Sequence, residues 1–345
     1  MTSLTAVPEQ SLEEHGQLPD GRSWQIAPGG YCCQFNGKDY FQIEYIPGRD
    51  CARIILTYDN AQLVELDLWF DWLFALNPAL QNIDIVETDT VASRVSRSGF
   101  YQRAELWYCG NNAGKFPLQW VKNEQGVRHP LRAVPPKGEV YRRYFHSLGM
   151  DFSLRHLDPQ KDLERFTGWM NQRRVAQFWE EEGDADKQRQ FIDTVIEDPH
   201  KYPLIACFDD EPFAYFEVYW ALEDRIAPYY DCQPFDRGAH MLVGDLRYLG
   251  KRFAYAWFNG ISHFMFLDDT RTENLVGEPR ADNRALLKYV NGTFSWKKIK
   301  EFDFPHKRAA LVMCKRKDFF GAWGEYERGQ TLEAGKYSSI GKVTG

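Results

Sequence analysis

The sequence predicts an α+β protein whose two domains each contain a mixed sheet, and three observations lead to this prediction. The chain has 345 residues, which is long for a single domain. Prolines and glycines are dense between Gly126 and Gly138, as is typical of a linker. Strand patterns and helix patterns follow one another on both sides of this segment.

The first half contains a β-β-α-β run with no obvious chemistry. Apolar residues at helical spacing predict a helix over 62–76, which Asn77-Pro78 ends. Strands are predicted over 40–46, 52–58 and 82–86.

The second half has a denser pattern. Asp158 followed by Pro159 is a strong helix-start signal. The clearest helix begins at Phe253, because apolar residues recur there at i, i+3, i+4 and i+7. The predicted elements are a strand at 152–156, a helix from 159, a helix at 184–197, strands at 203–208, 213–220 and 240–243, a helix from 253, a strand at 275–277, a helix at 283–290, and strands at 297–302 and 309–315.

These patterns divide the chain into five segments. The lead-in lacks a basic stretch followed by an apolar core, so no secretory signal is expected there. The segments are a flexible lead-in at 1–25, an N-terminal domain without an evident catalytic motif at 26–130, a linker at 131–145, a catalytic domain at 146–325 and a tail at 326–345.

Composition excludes several classes of function. The formal charge of −7 argues against a general nucleic-acid binder. The longest apolar runs are too short for a membrane span. The seven cysteines are scattered without a Cys-x-x-Cys pair, so we expect reduced thiols, a cytoplasmic location and no metal or redox cofactor.

A strand that carries a histidine and leads into a basic turn is the most informative feature of the chain. His240 lies on that strand, and Arg247, Gly250, Lys251 and Arg252 form the turn that opens the next helix. Free backbone N–H groups and the helix dipole make such a turn an anion site. The clustered positive charge on an acidic chain predicts a polyanionic ligand such as coenzyme A, and hence an acyltransferase.

Several motifs in this half resemble a known family. They resemble the aerobactin-type siderophore N-acyltransferases, which are similar to N6-hydroxylysine acetyltransferase and form a branch of the GNAT N-acetyltransferase superfamily. The resemblance covers roughly 138 to 320. The motifs are Gly-Glu-Val-Tyr-Arg-Arg-Tyr at 138–144, Glu-Arg-Phe at 164–166, Trp-Met-Asn at 169–171, Phe-Glu-Val-Tyr-Trp at 216–220, Glu-Asp-Arg at 223–225, Gln-Pro-Phe-Asp-Arg-Gly at 233–238, Glu-Pro-Arg-Ala-Asp-Asn at 278–283 and Lys-Glu-Phe-Asp-Phe-Pro-His-Lys-Arg at 300–308.

The resemblance implies an activity and a fold. The implied reaction is the acetyl-CoA-dependent N-acetylation of N6-hydroxylysine, N-hydroxyputrescine or N-hydroxycadaverine to a hydroxamate for a siderophore. The implied fold is the GNAT fold in the C-terminal half, with a second, degenerate acetyltransferase-like domain before it. One departure is that Arg252 stands where the superfamily's pyrophosphate loop has glycine or alanine, although arginine still offers a backbone N–H and a charged fork.

The resemblance also assigns roles on the histidine strand and the acidic turn. His240 is the expected general base, since the pKa of histidine suits proton transfer near neutral pH; a satisfied core histidine is the structural alternative. Asp282 is expected to orient His240 or relay its proton, while a helix N-cap explains it equally well. The expected coenzyme contacts are Leu242, Val243, Arg247, Gly250, Lys251, Arg252, Phe253 and Asn283.

An acidic and aromatic set is expected to bind the acceptor amine. Such a set can hold an aliphatic chain with a cationic amine, although core packing and solvated turns are structural alternatives. The basic run His306, Lys307 and Arg308 is a candidate for the coenzyme or for an acceptor carboxylate. The expected acceptor residues are Phe178, Trp179, Glu217, Tyr219, Trp220, Glu223 and Asp224.

Two other functions remain open from the sequence. One is a general small-amine N-acetyltransferase of the same fold, and the other is a catalytically silent scaffold that binds other siderophore-assembly enzymes. The coexistence of His240 and Asp282 argues against the silent scaffold.

Overall fold

The computed structural model of the protein describes residues 15–17, 23–27, 30–35, 38–44, 50–56, 63–77, 79–87, 90–110, 117–292 and 295–323. The chain divides into two compact units between Phe100 and Tyr101. This division precedes the predicted linker at 131–145, because the strand Glu139–Phe145 belongs to the sheet of the second unit. Of the predicted lead-in, only short stretches are described, and they are strands; the predicted tail at 326–345 lies outside the described residues.

The first unit is built on a seven-stranded sheet whose strands lie side by side in chain order. Helix α1 (Leu63–Leu76) connects β5 to β6, which are parallel, while the other described neighbours in this sheet are antiparallel. The predicted β-β-α-β run is present here as β4-β5-α1-β6, and a relation of this unit to acetyltransferases stays a prediction. The strands are β1 (His15–Gln17), β2 (Ser23–Ala27), β3 (Gly30–Phe35), β4 (Lys38–Glu44), β5 (Cys51–Leu56), β6 (Asn82–Glu87) and β7 (Thr90–Ser96).

The second unit contains an eight-stranded mixed sheet in the order β10-β11-β12-β13-β14-β15-β17-β16, as well as a small hairpin of β8 and β9. All of the strands predicted for this half are present, and β8, β9 and β10 are additional. The strands are β8 (Trp120–Lys122), β9 (Arg128–Pro130), β10 (Glu139–Phe145), β11 (Met150–His156), β12 (Lys201–Phe208), β13 (Glu211–Trp220), β14 (Arg237–Val243), β15 (Asn274–Gly277), β16 (Trp296–Asp303) and β17 (Arg308–Lys315).

The predicted helices of this half are also present. Asp158 caps α3 by accepting a hydrogen bond from the backbone N–H of Gln160 at 3.0 Å, and Pro159 is the first helical residue, as its sequence signal indicates. No described helix is both long and apolar enough to cross a membrane. The helices after α1 are α2 (Arg97–Tyr101), α3 (Pro159–Met170), α4 (Arg173–Trp179), α5 (Ala185–Glu197), α6 (Lys251–Asp268), α7 (Arg284–Gly292) and α8 (Arg316–Ala322).

The sheet of the second unit opens between β14 and β15. These strands are parallel and pair only at Arg237 with Leu275 and at Gly238 with Val276, whereas β14 pairs with β13 along its whole length. Pro279 lies two residues after the end of β15 and has no N–H to continue the ladder. The backbone of β14 beyond Gly238 therefore has no strand partner on the β15 side, and a cleft begins there.

The segment before β10 is anchored to the second unit by a buried ion pair. Arg132 donates two hydrogen bonds to the carboxylate of Glu223, at 2.5 and 2.6 Å, and His129 lies 2.9 Å from the same carboxylate. The side chains of Arg132 and Glu223 are 4% and 2% exposed. The guanidinium groups of Arg132 and Arg237 lie 4.1 and 4.3 Å from the ring centroid of Trp220, so the indole is held between two cations. This segment is thus a packed part of the second unit.

We predict that Arg132→Met lowers the free energy of unfolding by about 3 kcal/mol, because it leaves the buried carboxylate of Glu223 without its guanidinium. Urea denaturation measures the loss. Arg128→Met is the matched control, since Arg128 is exposed and its guanidinium lies 4.9 Å from the ring centroid of the surface residue Trp120. Equal and small losses in the two variants would show that the buried pair does not stabilise the unit.

Candidate active site

A cavity of about 580 Å³ lies at the opening between β14 and β15. Its lining combines apolar side chains of α6 and α7 with charged side chains near the ends of β13 and β15. His240 on β14 and Glu278 after β15 both line it. The cavity therefore joins an apolar channel to a charged region.

His240 lies between two carboxylates. It donates a hydrogen bond from Nε2 to Oε1 of Glu278 at 2.9 Å and one from Nδ1 to Oε1 of Glu217 at 3.4 Å. Glu217 is the residue directly opposite His240 on the neighbouring strand β13. Carboxylates only accept hydrogen bonds, so both ring nitrogens must carry protons and the ring is an imidazolium. The His240 side chain is 24% exposed, which leaves it accessible from the cavity.

The charges of this cluster shift all three pKa values. Burial by itself would lower the pKa of His240, but the charges and hydrogen bonds of Glu278 and Glu217 outweigh it and raise the pKa to about 9. Burial would raise the pKa of both carboxyl groups, but interaction with His240, and with Lys201 in the case of Glu217, lowers each to about 2. At neutral pH the resting cluster is therefore one cation between two anions.

The phenol of Tyr219 supports Glu278 from the other side. It donates a hydrogen bond to Oε2 of Glu278 at 2.8 Å, and its ring centroid lies 4.8 Å from that of His240. The ring crosses Gly238, where an added Cβ would come within 2.3 Å of the phenol. Glycine at 238 is thus required for Tyr219 on β13 to reach the residue that follows β15.

The three charged side chains do not converge as metal ligands do. The two carboxylates contact opposite nitrogens of the His240 ring, so no single point is reached by all three. Within the described ranges, no group of three or more His, Cys, Asp and Glu side chains is arranged to hold a metal ion. The geometry fits proton transfer and charge stabilisation.

Asp282 does not occupy the place that the sequence predicted for it. Its side chain is 69% exposed and pairs with Arg280 at 3.1 Å, whereas the acid beside His240 is Glu278, four residues earlier. Asp282 is not the side-chain cap of α7 either. Asn283 is, because its Oδ1 accepts a hydrogen bond from the backbone N–H of Leu286 at 3.1 Å. The turn at Pro279 directs the acidic side chain before the proline, rather than the one after it, toward β14.

The residues expected to contact a coenzyme lie along β14 and the turn after it. Val243 and Asn283 line the cavity, whereas Leu242 is buried in the core of the unit. Gly250 has φ of +104° and precedes the first turn of α6, so glycine suits this position. The remaining expected residues are the exposed Arg247, which pairs with Asp245, the exposed Lys251 and Arg252 in the first turn of α6, and Phe253, which packs on Phe208 and Tyr248.

Five of the seven predicted acceptor residues line the cavity: Phe178, Trp179, Glu217, Glu223 and Asp224. The carboxylate of Glu223 is already paired with Arg132, so it is not available to a cationic amine. Tyr219 contacts the cluster through Glu278. Trp220 faces the opposite side of β13, because successive side chains of a strand alternate, and it lines a separate small cavity. The ring of Trp179 lies edge-on to His240, with centroids 6.3 Å apart.

The sequence-based prediction did not single out Glu278, Lys201 or Arg225 as site residues. Glu278 was part of a quoted motif, but its role depends on which strand lies beside β14, which the sequence does not state. Lys201 contacts Glu217 at 3.2 Å, and Arg225 contacts Glu278 at 3.7 Å. Of the basic residues around the start of β17, Lys307 lines the cavity. It is therefore placed where it could contact an acceptor carboxylate, which is one of the two roles predicted for this basic run.

Comparison with known proteins identifies the family. Residues 158–304 match the family model of the acetyltransferase (GNAT) domain. The chain is 42% identical over 227 residues to the N(6)-hydroxylysine O-acetyltransferase of Escherichia coli. The matched region covers 66% of this chain and 71% of that enzyme. It is 43% identical over 198 residues to the N(5)-hydroxyornithine:cis-anhydromevalonyl coenzyme A-N(5)-transacylase of Beauveria bassiana, covering 56% of this chain and 43% of that one.

Among solved structures, an uncharacterized protein from Bacillus halodurans is similar, with a TM-score of 0.51 and 26% identity. The match covers 55% of this chain and 96% of that one. The observed order of strands and helices and these matches confirm the predicted α+β fold with a GNAT domain in the C-terminal half. The chain is an acyltransferase of the GNAT superfamily and belongs to the family of the Escherichia coli N(6)-hydroxylysine O-acetyltransferase.

Proposed function

We propose that this chain transfers an acetyl group from acetyl-CoA to the nitrogen of an N-hydroxylated amine and thereby forms a hydroxamate for a siderophore. The acceptor is N6-hydroxylysine, N-hydroxyputrescine or N-hydroxycadaverine. The observation that carries the proposal is His240 held between Glu217 and Glu278 where β14 and β15 part. The names of the two relatives, which refer to hydroxylysine and to a coenzyme A-dependent hydroxyornithine transacylase, support the choice of acceptor and donor.

The coenzyme is proposed to lie along the free edge of β14. The backbone of β14 near Val243 has no partner on β15, so its N–H groups can bind the amide carbonyls of the pantetheine arm. The carbonyl of Val243 already accepts a hydrogen bond from Arg174 at 2.5 Å. The pyrophosphate would contact the first N–H groups of α6 after Gly250, with Arg247, Lys251 and Arg252 supplying positive charge. Asn283 would contact the pantetheine at the start of α7.

His240 is proposed to take, at Nδ1, the proton that the acceptor nitrogen loses as its bond to the acyl carbon forms. In the neutral ring Nε2–H keeps its hydrogen bond to Glu278 at 2.9 Å, and Nδ1, whose contact with Glu217 is the longer one at 3.4 Å, carries the lone pair. A hydroxylamine nitrogen is a weak base and is largely neutral near pH 7, so it attacks without prior deprotonation. Its proton becomes strongly acidic during attack, and a base of pKa about 9 accepts it with a large driving force. Glu278 and Glu217 orient the ring and stabilise the imidazolium, and the proton then passes to the leaving thiolate.

We predict that His240→Ala lowers turnover by about 10²- to 10⁴-fold, while the affinity for acetyl-CoA measured by calorimetry changes little.

We also predict that kcat/KM of the wild type rises with pH and levels off near pH 9, because His240 must be neutral to accept a proton. At pH 7 about one molecule in a hundred then carries the neutral ring.

His146→Ala is the control for this prediction, since His146 packs on Tyr144 and does not line the cavity. Wild-type turnover in His240→Ala near pH 7 would show that the histidine is structural. A kcat/KM that falls as the pH rises toward 9 would show that His240 acts in its charged form.

We predict a preference of at least about a hundredfold in kcat/KM for a hydroxylated amine over its parent amine, such as N6-hydroxylysine over lysine. The N–OH group forms hydrogen bonds that the parent lacks, and a site built around it is left with unpaired polar atoms. The parent amine is also mostly protonated near neutral pH and lacks a free lone pair.

Two assays measure this preference. Free-thiol release reports acyl transfer to either amine, and the coloured ferric complex of the product reports a hydroxamate. Equal rates with lysine and N6-hydroxylysine would favour a general amine acetyltransferase, and thiol release from the hydroxylamine without a ferric complex would place the acyl group on oxygen.

A further inference from the structure

The charged side chains of the cavity are almost all neutralised by one another. Of the charged residues that line it, two form no ion pair with any described residue, and these two have opposite sign: Asp224 and Lys307. The ion pairs are Glu217 with Lys201 and His240, Glu278 with His240 and Arg225, Glu223 with Arg132 and His129, Asp198 with His200, Glu181 with Lys187, and Arg280 with Asp282.

Asp224 is a partly buried carboxylate near the reaction centre. It follows the short helical turn Ala221–Glu223 at the end of β13, and its Oδ1 accepts a hydrogen bond from the backbone N–H of Ile226 at 3.1 Å. Burial, followed by the negative charge of Glu278, raises the pKa of Asp224. Both effects would be relieved by a bound cation.

Lys307 carries a partly buried ammonium group and lies in the loop that connects β16 to β17. Its Nζ lies 5.5 Å from the ring centroid of Phe304, and the guanidinium of Arg225 lies 5.6 Å from the same centroid. Burial lowers the pKa of Lys307; the negative charges of Glu278 and Asp224 oppose this shift, and the positive charges of Arg225 and Arg280 add to it. Two cations that share one aromatic ring, with a third nearby, form a site that an anion would stabilise.

We propose that Asp224 and Lys307 bind the zwitterionic head of an α-amino acid acceptor, with Asp224 contacting the α-ammonium and Lys307, assisted by Arg225, contacting the α-carboxylate. This inference rests on the proposed function and narrows it, since it selects N6-hydroxylysine or a homologous N-hydroxylated amino acid. A hydroxylated diamine would satisfy Asp224 but has no carboxylate to contact Lys307.

A phosphate of the coenzyme is the other anion that could reach a basic site. The basic turn proposed for the pyrophosphate lies beyond the far end of β14, at Arg247 to Arg252, whereas Lys307 and Asp224 line the cavity with Glu278, at the end where β14 still pairs with β15. A coenzyme phosphate and the acceptor carboxylate are distinguished by measuring whether a change of Lys307 weakens the binding of acetyl-CoA or of the acceptor.

Two substrate pairs test the two contacts separately. N6-hydroxylysine and N-hydroxycadaverine differ only in the carboxylate, so they report on Lys307. N6-hydroxylysine and its N2-acetyl derivative differ in the α-ammonium, so they report on Asp224. We expect wild-type kcat/KM to favour N6-hydroxylysine over either analogue by at least about tenfold, the size of a charge-assisted hydrogen bond in a partly exposed site.

The variants should reduce these preferences one at a time. Lys307→Met should reduce the ratio of N6-hydroxylysine to N-hydroxycadaverine by about tenfold or more, and Asp224→Asn should reduce the ratio of N6-hydroxylysine to its N2-acetyl derivative similarly. The loss should be in the KM for the acceptor, with the KM for acetyl-CoA little changed. Lys300→Met is the control, because Lys300 is exposed on β16 and does not line the cavity.

Three results would overturn this inference. The first is a wild type that prefers N-hydroxycadaverine, which would leave the proposed function intact. The second is a Lys307→Met variant in which acetyl-CoA affinity falls and the acceptor ratio stays constant, which would assign Lys307 to a coenzyme phosphate. The third is no turnover of any hydroxylamine by the wild type, which would overturn the proposed function as well.

Discussion

The interaction on which the site depends is the imidazolium of His240 between the carboxylates of Glu217 and Glu278. Each carboxylate is almost fully buried, at 3% and 4% exposure, and an isolated buried anion would be costly. The shared cation offsets that cost. Lys201 and the phenol of Tyr215 also contact Glu217, and Arg225 and Tyr219 also contact Glu278. The same arrangement that stabilises the two buried charges raises the pKa of the histidine to about 9.

This cluster exists because of where the sheet opens. Glu217 reaches His240 as its direct cross-strand neighbour, which any antiparallel pair would allow. Glu278 reaches it because β15 runs parallel to β14 for two residue pairs and ends at Gly277, just before Glu278 and Pro279. The separation of the strands thus opens the cavity that α6 and α7 also line, and it brings Glu278 onto the side of His240 that faces away from Glu217. The proposed acyl binding and the proposed proton transfer thus both depend on one topological feature.

The elements of the second unit could be predicted from the sequence because their signals are local. Asp158-Pro159 and the apolar spacing from Phe253 depend on neighbours within a few residues. The strand Glu139–Phe145 was interpreted as linker, since Pro135, Pro136 and Gly138 precede it and its charges mask the alternation. Glu278 was missed in favour of Asp282 for a different reason: the partner of His240 is set by pairing between strands that are far apart in the chain, and a local cap pattern cannot reveal it.

A direct measurement of the His240 charge tests the central claim most sharply. The ring can be titrated by NMR in protein labelled at histidine, with the His240→Ala variant used to assign its signal. The account predicts a pKa of about 9 in the wild type and a clear decrease in Glu278→Gln, which removes the nearer carboxylate charge but keeps the side-chain shape. A wild-type pKa near the ordinary value of about 6.5, unchanged by Glu278→Gln, would contradict it.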